Sequence, residues 1–440
     1  MPTESNSPNP SRRSFLQNTG AAVAGGALAA SIAAPTSVHA AGSETIKVGL
    51  IGCGGRGTGA ATNALRADPN VQLTAMADAF RDRLDLSHKN LVNSFGSKVA
   101  VDEDKKFVGF DAYKQLMQSD VDVVLLCTPP HFRPAMLEAA VTADKHIFCE
   151  KPVAVDPAGV RKVLQTVQKA KEKNLNVVSG LCWRYDYGVR ETMKRIQDGA
   201  IGDIVAIQEN YLTGGLWHRG RKPEWSEMEY QMRNWLYFTW LSGDHIVEQH
   251  IHSLDKALWL NGDKPPVRAF GLGGRQVRSA EKWGHIYDHF AICYEWESGV
   301  KTFAYTRQMG QCHNDVDDFV LGTKGKATVL GTRRRPRISN ADGDWHYQGE
   351  RPSMYDVEHR ELFAALRSGN TINNGEYMSN STLLAIMGRE ACYTGQMITW
   401  DDLLNSELDL SPAKYEWGDV IQPSVAIPGS TKLKRQSNTA

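Results

Sequence analysis

Residues 46–57 read IKVGLIGCGGRG, a short apolar run that leads directly into a cluster of glycines. The run predicts a buried β-strand, and the glycines predict a tight turn that opens a helix. In the pattern G-x-G-x-x-G, Gly52 permits the turn, Gly54 lets the backbone approach a pyrophosphate, and Gly57 lets helix and strand pack closely. The helix N-terminus would then face the phosphates. The stretch therefore predicts a dinucleotide-binding site.

An acidic residue follows the second predicted strand, residues 71–77, at the place where such a fold needs one. Asp78 lies about 20 residues beyond the glycines, where a carboxylate accepts hydrogen bonds from ribose hydroxyls. Its charge repels a 2′-phosphate, which favours NAD over NADP. Arg56 and Arg81 are nearby cations able to neutralise such a phosphate, so NADP remains the second choice.

The order of the apolar segments predicts two domains that differ in the length and polarity of their strands. Short apolar strands alternate with helix-length segments at first, which is typical of a doubly wound parallel sheet covered on both faces. Later strands are longer and half-polar, and residues 297–299 predict a hairpin turn. We therefore expect an α/β protein with a Rossmann domain over residues 45–182. A second α/β domain with a large, mostly antiparallel open sheet is predicted over residues 183–420, followed by an extended tail over 421–440.

The first 40 residues have the features of a twin-arginine export signal. Arg12 and Arg13 precede a mild apolar run over residues 19–34, and residues 38–40 read VHA, a small-x-small cleavage pattern. The sequence thus predicts a protein exported in its folded state, to the periplasm or otherwise out of the cytoplasm. Because free NAD(P) is scarce there, we predict that the protein holds its cofactor tightly.

Composition narrows the range of partners. Lysines plus arginines number 50 and aspartates plus glutamates also number 50, which argues against a nucleic-acid partner. Beyond the predicted signal no run approaches the ~18 apolar residues of a membrane span, so no stable membrane insertion is expected. The seven cysteines show no paired spacing, which argues against a disulfide framework.

A second signal ends another predicted strand, where residues 150–152 read EKP. Ligands bind at the carboxyl edge of a parallel sheet, so Lys151 would point toward a nicotinamide. Together with the glycine pattern, CTPPH at residues 127–131 and GLCWRY at 180–185, this motif resembles the glucose–fructose oxidoreductase/inositol dehydrogenase (Gfo/Idh/MocA) family. The resemblance covers essentially all of the chain beyond the signal.

The resemblance implies NAD(P)-dependent oxidation or reduction of sugars and polyols. It also implies that the open sheet supports a homo-oligomer, a dimer or a tetramer, and that Lys151 touches both the nicotinamide and the reacting hydroxyl. The cofactor-binding residues expected on these grounds are Gly52, Gly54, Gly55, Arg56, Gly57, Asp78, Thr128, His131, Glu150, Lys151, Trp183 and Arg184.

The family's second motif, D-x-G-x-H-x-x-D, corresponds to residues 248–255, which read EQHIHSLD. His252 and Asp255 match, whereas Glu248 replaces the first aspartate and His250 replaces the glycine. In a helix predicted over residues 244–260, Glu248 and His252 are four positions apart and share one face. We predict that His252 takes the hydroxyl proton, that Glu248 orients or charges it, and that Lys151 stabilises the developing alkoxide.

The same helix offers two alternatives. His245, Gln249 and His252 share a face and would form a metal site if another ligand completed it. Glu248 and His250 point about 200° apart in an α-helix, so they cannot bind one ion. The histidines would otherwise only cap and pack the helix. We predict no metal.

Residues 211–240 are rich in tryptophan and arginine, holding four of the eleven tryptophans. Aromatic faces flanked by arginine donors suit a pyranose ring, although subunit interfaces share this composition. The substrate-binding residues expected are Tyr185, Trp217, His218, Arg233, Trp235 and Asp255.

The leading hypothesis is an exported NAD(P)-dependent oxidoreductase that acts on CH–OH groups of a small-molecule sugar or glycoside. A redox-neutral glycosidase, working by oxidation, elimination, hydration and reduction, is the first alternative. It would use the same Lys151 and His252 and an additional base, for which His218, Tyr185 and Tyr237 are candidates. A non-catalytic carbohydrate-binding protein with structural NAD is the second alternative.

Overall fold

A computed structural model of the protein describes residues 44–330, 335–420 and 423–434. The predicted export signal over residues 1–40 lies outside the described residues, as do positions 421–422 and 435–440 of the predicted tail. None of the helices in the described ranges is long and apolar enough to cross a membrane.

The N-terminal domain alternates strands and helices as the apolar pattern predicts. Its elements are β1 (Ile46–Ile51), α1 (Gly55–Ala67), β2 (Val71–Asp78), α2 (Arg81–Phe95), β3 (Lys106–Val108), α3 (Ala112–Met117), β4 (Val123–Leu126), α4 (Arg133–Thr142), β5 (His146–Cys149), α5 (Pro157–Glu172) and β6 (Val177–Ser179). The six strands are parallel in the order β3-β2-β1-β4-β5-β6. The order reverses between β1 and β4, and a ligand crevice forms at such a point.

The second domain is built on a nine-stranded sheet. Its elements are α6 (Tyr187–Gln197), β7 (Ile204–Thr213), α7 (Glu227–Arg233), α8 (Thr239–Ser242), a π-helical turn (Ile246–His250), α9 (Ile251–Leu260), β8 (Arg268–Gly274), β9 (His289–Glu295), β10 (Lys301–Gln308), β11 (Asp318–Gly322), β12 (Gly325–Leu330), β13 (Arg337–Asn340), β14 (Gly343–His346), α10 (Met354–Ser368), α11 (Gly375–Thr394), β15 (Ile398–Thr399) and α12 (Trp400–Leu404). The strand order is β14-β13-β12-β11-β7-β10-β9-β8-β15. Only the β7–β10 pair is parallel among these strands, so the predicted α/β fold class is confirmed.

The single helix predicted over residues 244–260 is wrong at its start. Asp244 has a φ of 76°, a left-handed conformation that cannot belong to an α-helix. Its carboxylate accepts the backbone N–H of His245 at 2.5 Å and that of Tyr287 at 2.7 Å, which fixes this conformation. The wider π-helical turn follows, and regular α-helix begins only at Ile251.

Segments near the C-terminus pack against elements formed earlier in the chain. Helices α10 and α11 pack against α1 and α5 of the first domain, and Asn374 N–H donates to the carbonyl of Val177 in β6 at 2.8 Å. The part of the predicted tail that is described packs on the second domain. Gly429 N–H donates to the carbonyl of Thr394 at 2.8 Å, and Tyr287 Oη donates to the carbonyl of Ala426 at 2.9 Å.

A buried ionic cluster joins α9 to the second sheet. Lys256 Nζ lies 2.6 Å from Asp318 Oδ2, and both side chains are at most 1% exposed. Glu209 stands opposite Asp318 on the neighbouring strand and is also fully buried. Burial, reinforced by the charge of Asp318, raises the pKa of Glu209 well above its ordinary value. One lysine therefore faces two carboxyl groups, and the cluster disfavours the charged form of Glu209.

Two substitutions in this cluster should differ in their effect on stability. Lys256→Met leaves Asp318 buried without its counter-charge, so the free energy of unfolding should fall by about 3–5 kcal/mol. Glu209→Gln is the matched control. Folding raises the pKa of the Glu209 carboxyl, so the free energy of unfolding falls as pH rises above the pKa that this group has in the unfolded chain. Glutamine carries no titrating proton and therefore removes this loss of stability. Urea unfolding at neutral pH should therefore show Glu209→Gln no less stable than the parent, and an equal loss in both variants would contradict the account.

Candidate active site

One large cavity, about 530 Å³ in volume, lies at the carboxyl edge of the first sheet and reaches the start of α9. Both domains line it. Its lining includes the glycine turn and Asp78 on the first-domain side, and Lys151, Glu248 and His252 where the two domains meet. The glycine turn and Asp78, predicted to bind the cofactor, therefore share one space with Lys151, Glu248 and His252, predicted to carry the chemistry.

The glycine turn forms a cradle that fits a pyrophosphate. A Cβ on Gly57 would lie 1.8 Å from the carbonyl oxygen of Gly52, so close packing of helix and strand requires glycine there. At Gly54 and Gly55, by contrast, a Cβ would meet nothing within 4 Å. Gly54 is the N-cap residue of α1, and it has no side chain that could accept a hydrogen bond from the first turn. The open space before an uncapped helix N-terminus is where backbone N–H groups bind phosphate.

Asp78 is held in place at the end of β2. Its Oδ2 accepts the backbone N–H of Cys53 at 2.6 Å, and its Oδ1 accepts that of Phe80 at 2.9 Å. Burial raises the pKa of this carboxyl. The carboxylate lines the cavity, and its two backbone hydrogen bonds fix its orientation. A fixed carboxylate at this place suits recognition of ribose hydroxyls.

Arg56 and Arg81, the two arginines that the sequence offered for neutralising a 2′-phosphate, each form an ion pair with a protein carboxylate. Arg81 Nε lies 2.9 Å from Asp85 Oδ2 and does not line the cavity. Arg56 lines the cavity, but its Nε lies 2.8 Å from Glu150 Oε1. Arg83 also lines the cavity, and its charge acts on Asp78. Its position in the helix sequence did not show that its side chain faces the cavity.

Lys151 and Glu248 form an ion pair at the domain junction. Lys151 Nζ lies 3.0 Å from Glu248 Oε1 and donates to the backbone carbonyl of the same residue at 2.5 Å. The two side chains are 13% and 14% exposed. The structure therefore joins Glu248 to Lys151 rather than to His252, the partner predicted from helical spacing.

His252 enters the same cavity from α9. Its Nδ1 is buried and has no hydrogen-bond partner among the described residues. Burial lowers the pKa of His252 well below its ordinary value, and the charges of Lys151 and Lys256 lower it further. The imidazole is therefore neutral at neutral pH, the state in which it accepts a proton.

A buried arginine fixes the loop that carries Lys151. Arg133 donates from Nη2 to the carbonyl of Thr128 at 2.5 Å and from Nη1 to the carbonyl of Pro152. The next residue, Val153, donates its backbone N–H to Thr382 Oγ1 at 3.2 Å. Sequence spacing gives no signal for Arg133, because the carbonyls that it binds come from two separate strand ends.

Six predicted site residues do not line the cavity. Arg184 forms a buried ion pair with Asp255 at 2.9 Å and also binds Asp263. Tyr185 Oη donates to Asn374 Oδ1 at 2.9 Å. The six residues placed outside the lining are His131, Trp183, Arg184, Tyr185, His218 and Asp255. Asp255 matches the family motif, yet its contacts here hold elements together.

The segment rich in tryptophan and arginine, residues 211–240, meets the first domain near Asp78. Trp217, Arg233 and Trp235 line the cavity as predicted. The Arg233 guanidinium lies 4.1 Å from the ring centroid of Phe80, and its Nη1 lies 3.1 Å from Asp82 Oδ2. Phe80 and Asp82 lie shortly after Asp78, the residue expected to bind the ribose, so Arg233 lies at the same end of the cavity as Asp78. We call this end, lined by Asp78, Phe80, Phe110 and Arg233, the adenosine half.

His245, Gln249 and His252, the three residues considered for a metal site, do not converge on one point. His245 is fully buried, with Nδ1 2.9 Å from Asp244 Oδ1, and Gln249 accepts a hydrogen bond from Gln308 Nε2 at 2.7 Å. Of His245, Gln249 and His252, only His252 lines the cavity. Across the described ranges, no group of three or more potential ligand side chains is arranged to hold a metal ion.

Two sequence patterns of one protein family match the chain. The pattern described as "Oxidoreductase family, NAD-binding Rossmann fold" matches residues 46–178, and the "GFO/IDH/MocA C-terminal domain" matches residues 189–328. Together they cover more than half of the 440 residues.

Individual proteins show the same relationship at lower identity. Inositol 2-dehydrogenase from Rhizobium meliloti is 27% identical over 312 residues, which cover 71% of this chain and 82% of that protein. The 2,7-anhydro-N-acetylneuraminate hydratase of Escherichia coli is 27% identical over 211 residues, covering 48% of this chain and 51% of that protein.

A solved structure shares the fold. The scyllo-inositol dehydrogenase of Lactobacillus casei, with bound cofactor NAD(H) and scyllo-inositol, superimposes with a TM-score of 0.63 at 20% identity and covers 81% of this chain and all of that chain. The chain therefore belongs to the Gfo/Idh/MocA family of oxidoreductases and binds NAD in its Rossmann domain.

Proposed function

We propose that this protein oxidises a CH–OH group of a sugar or polyol and passes the hydride to an NAD that stays bound between turnovers. The observation that carries the proposal is the Lys151–Glu248 ion pair beside a neutral His252, in the cavity that also contains the glycine turn. Among the relatives, inositol 2-dehydrogenase acts on a polyol by its name.

The roles of the side chains follow from their charges. Bound NAD would supply the hydride acceptor, and a second substrate with a carbonyl group would take the hydride from the bound NADH, so that NAD is regenerated without leaving the protein. His252 accepts the hydroxyl proton, because burial keeps its imidazole neutral. Lys151 donates a hydrogen bond to the oxygen on which negative charge develops, and Glu248 orients the ammonium group from 3.0 Å.

Removing either group should slow the chemical step. Lys151→Ala should reduce kcat/KM by about 10²–10³ because the alkoxide loses its donor. His252→Asn should reduce it by about 10²–10⁴ because no base remains. Lys162→Ala, a change at an exposed lysine on α5, is the matched control and should leave the rate unchanged. The assay follows reduction of protein-bound NAD by a panel of polyols, and full activity in Lys151→Ala would exclude the proposed centre.

The pH dependence should report His252. Its lowered pKa keeps the imidazole neutral down to acidic pH, so the rate of hydride transfer should stay level until pH falls below the ordinary histidine value of about 6.5. The charge of Lys151 contributes to that lowering, so Lys151→Met should move the acidic fall to higher pH and Lys151→Arg should not. Single-turnover rates across pH test this expectation. A parent enzyme that loses activity around pH 7 would be inconsistent with a buried, neutral His252.

A redox-neutral cycle is the second candidate, because one relative is a hydratase by name. None of its predicted additional bases lines the cavity. Tyr185 and His218 bind other groups, and Tyr237 Oη donates to the backbone carbonyl of Trp217 at 2.9 Å. Release of a leaving group without net NADH would favour this cycle. A non-catalytic protein with structural NAD is excluded as soon as a sugar reduces the bound cofactor.

We also propose that the protein acts after export, through the twin-arginine signal at residues 1–40.

We further propose that the protein forms a dimer or tetramer. Exposed apolar side chains on the open face of the second sheet support the assembly. Leu272 is 76% exposed on β8, and further exposed apolar side chains lie on the same strand (Phe270), on β10 (Phe303 and Tyr305) and on β11 (Leu321). An apolar face of this kind marks a protein contact.

A charge on this face should break the assembly. Leu272→Glu would place a carboxylate in the contact, which costs free energy unless it is paired. Leu86→Glu, at a 55% exposed leucine on α2, is the matched control. Size-exclusion chromatography with light scattering should show a smaller species for Leu272→Glu alone. Identical masses for both variants and the parent would assign the contact to another surface.

A further inference from the structure

A segment of the second half of the chain crosses the first domain. Residues 407–420, which we call the strap, follow α12 and begin where Arg161 of α5 donates to the carbonyls of Leu404 and Ser406 at 2.6 and 2.8 Å. Leu410 N–H then donates to Asp156 Oδ2 at 2.9 Å. The strap is therefore attached to the loops and helices around the carboxyl edge of the first sheet.

The aromatic residues of the strap pack behind the wall of the adenosine half of the cavity without lining it. Tyr415 Oη lies 2.7 Å from His131 Nε2. The Trp417 ring lies 4.7 Å from the ring of Phe110 and 5.3 Å from that of Phe80, measured between centroids. Phe80 and Phe110 both line the cavity, just after β2 and β3. Trp417 thus packs on the side chains that form the wall of the adenosine half.

A residue of α7, Arg233, contacts the same wall of the cavity. Arg233 stacks on Phe80 and pairs with Asp82, so Phe80 contacts both Arg233 and Trp417. The strap and α7 are joined to each other, because Met228 N–H donates to the carbonyl of Gly418 at 2.9 Å. Arg233 itself lines the cavity together with Trp217 and Trp235.

We propose that the strap and α7 form a clasp that retains NAD by holding the adenosine half of the cleft closed. The inference rests on the proposed function, in which the cofactor stays bound between turnovers, and it names the residues responsible. Trp417 packs against both Phe80 and Phe110, and Arg233 packs against Phe80, so these contacts oppose movement of the two rings away from an adenosine. Dissociation of the dinucleotide then requires the clasp to open first, which lowers the dissociation rate without any contact to the reacting atoms.

The test measures cofactor release rather than catalysis. The full chain is loaded with NADH, mixed with excess NAD, and the loss of protein-bound NADH fluorescence is followed. Trp417→Ala should release NADH at least about tenfold faster than the parent, as should Arg233→Met, because each removes one side of the clasp. Trp345→Ala is the matched control, since that tryptophan also packs under an arginine, Arg195 at 4.5 Å, but does not line the cavity.

The outcomes separate the clasp from cofactor retention itself. Slow release by the parent, faster release by Trp417→Ala and Arg233→Met, and unchanged release by Trp345→Ala support the clasp. Slow release that neither clasp variant accelerates overturns the clasp and leaves retention intact. Fast release by the parent overturns both. Trp417→Phe, which keeps a ring at this position, should restore slow release even if Trp417→Ala folds poorly.

Discussion

The ion pair between Lys151 and Glu248 connects the two domains at the point where the chemistry is expected, and the rest of the site depends on it. Both side chains are largely buried, so each charge needs the other. Lys151 lies at the carboxyl edge of the first sheet, and Glu248 lies in the π-helical turn of the second domain. The pair therefore brings the cofactor-binding edge and the proposed base, His252, to one cavity.

The π-helical turn that presents Glu248 originates in a residue outside the cavity. Asp244 takes its left-handed conformation because its carboxylate accepts hydrogen bonds from His245, from Tyr287 at 2.7 Å and from Tyr393 at 2.5 Å. A wide turn then precedes α9, and such turns are frequent at functional sites. Packing in the interior of the second domain thus sets the direction of the group that holds Lys151.

Much of the fold and the centre of the site could be predicted because their signals are local. The glycine turn, Asp78 and Lys151 each follow a buried parallel strand, and the edge of such a sheet brings strand ends together. The π-helical turn could not be predicted, because Tyr287 and Tyr393 are far from Asp244 in sequence. For the same reason motif matching assigned Arg184 and Asp255 to ligand binding, whereas the structure pairs them with each other. Arg133, Arg83 and the strap left no pattern in the sequence.

We propose that one cavity holds NAD and a sugar or polyol in position for hydride transfer. The near-ultraviolet absorbance of the purified, NAD-loaded protein, followed during additions of individual sugars and polyols, tests this arrangement. At least one of them should produce the absorbance band of reduced nicotinamide on the protein, with no reduced cofactor in the ultrafiltrate. Bound NAD that no sugar or polyol reduces would contradict the arrangement.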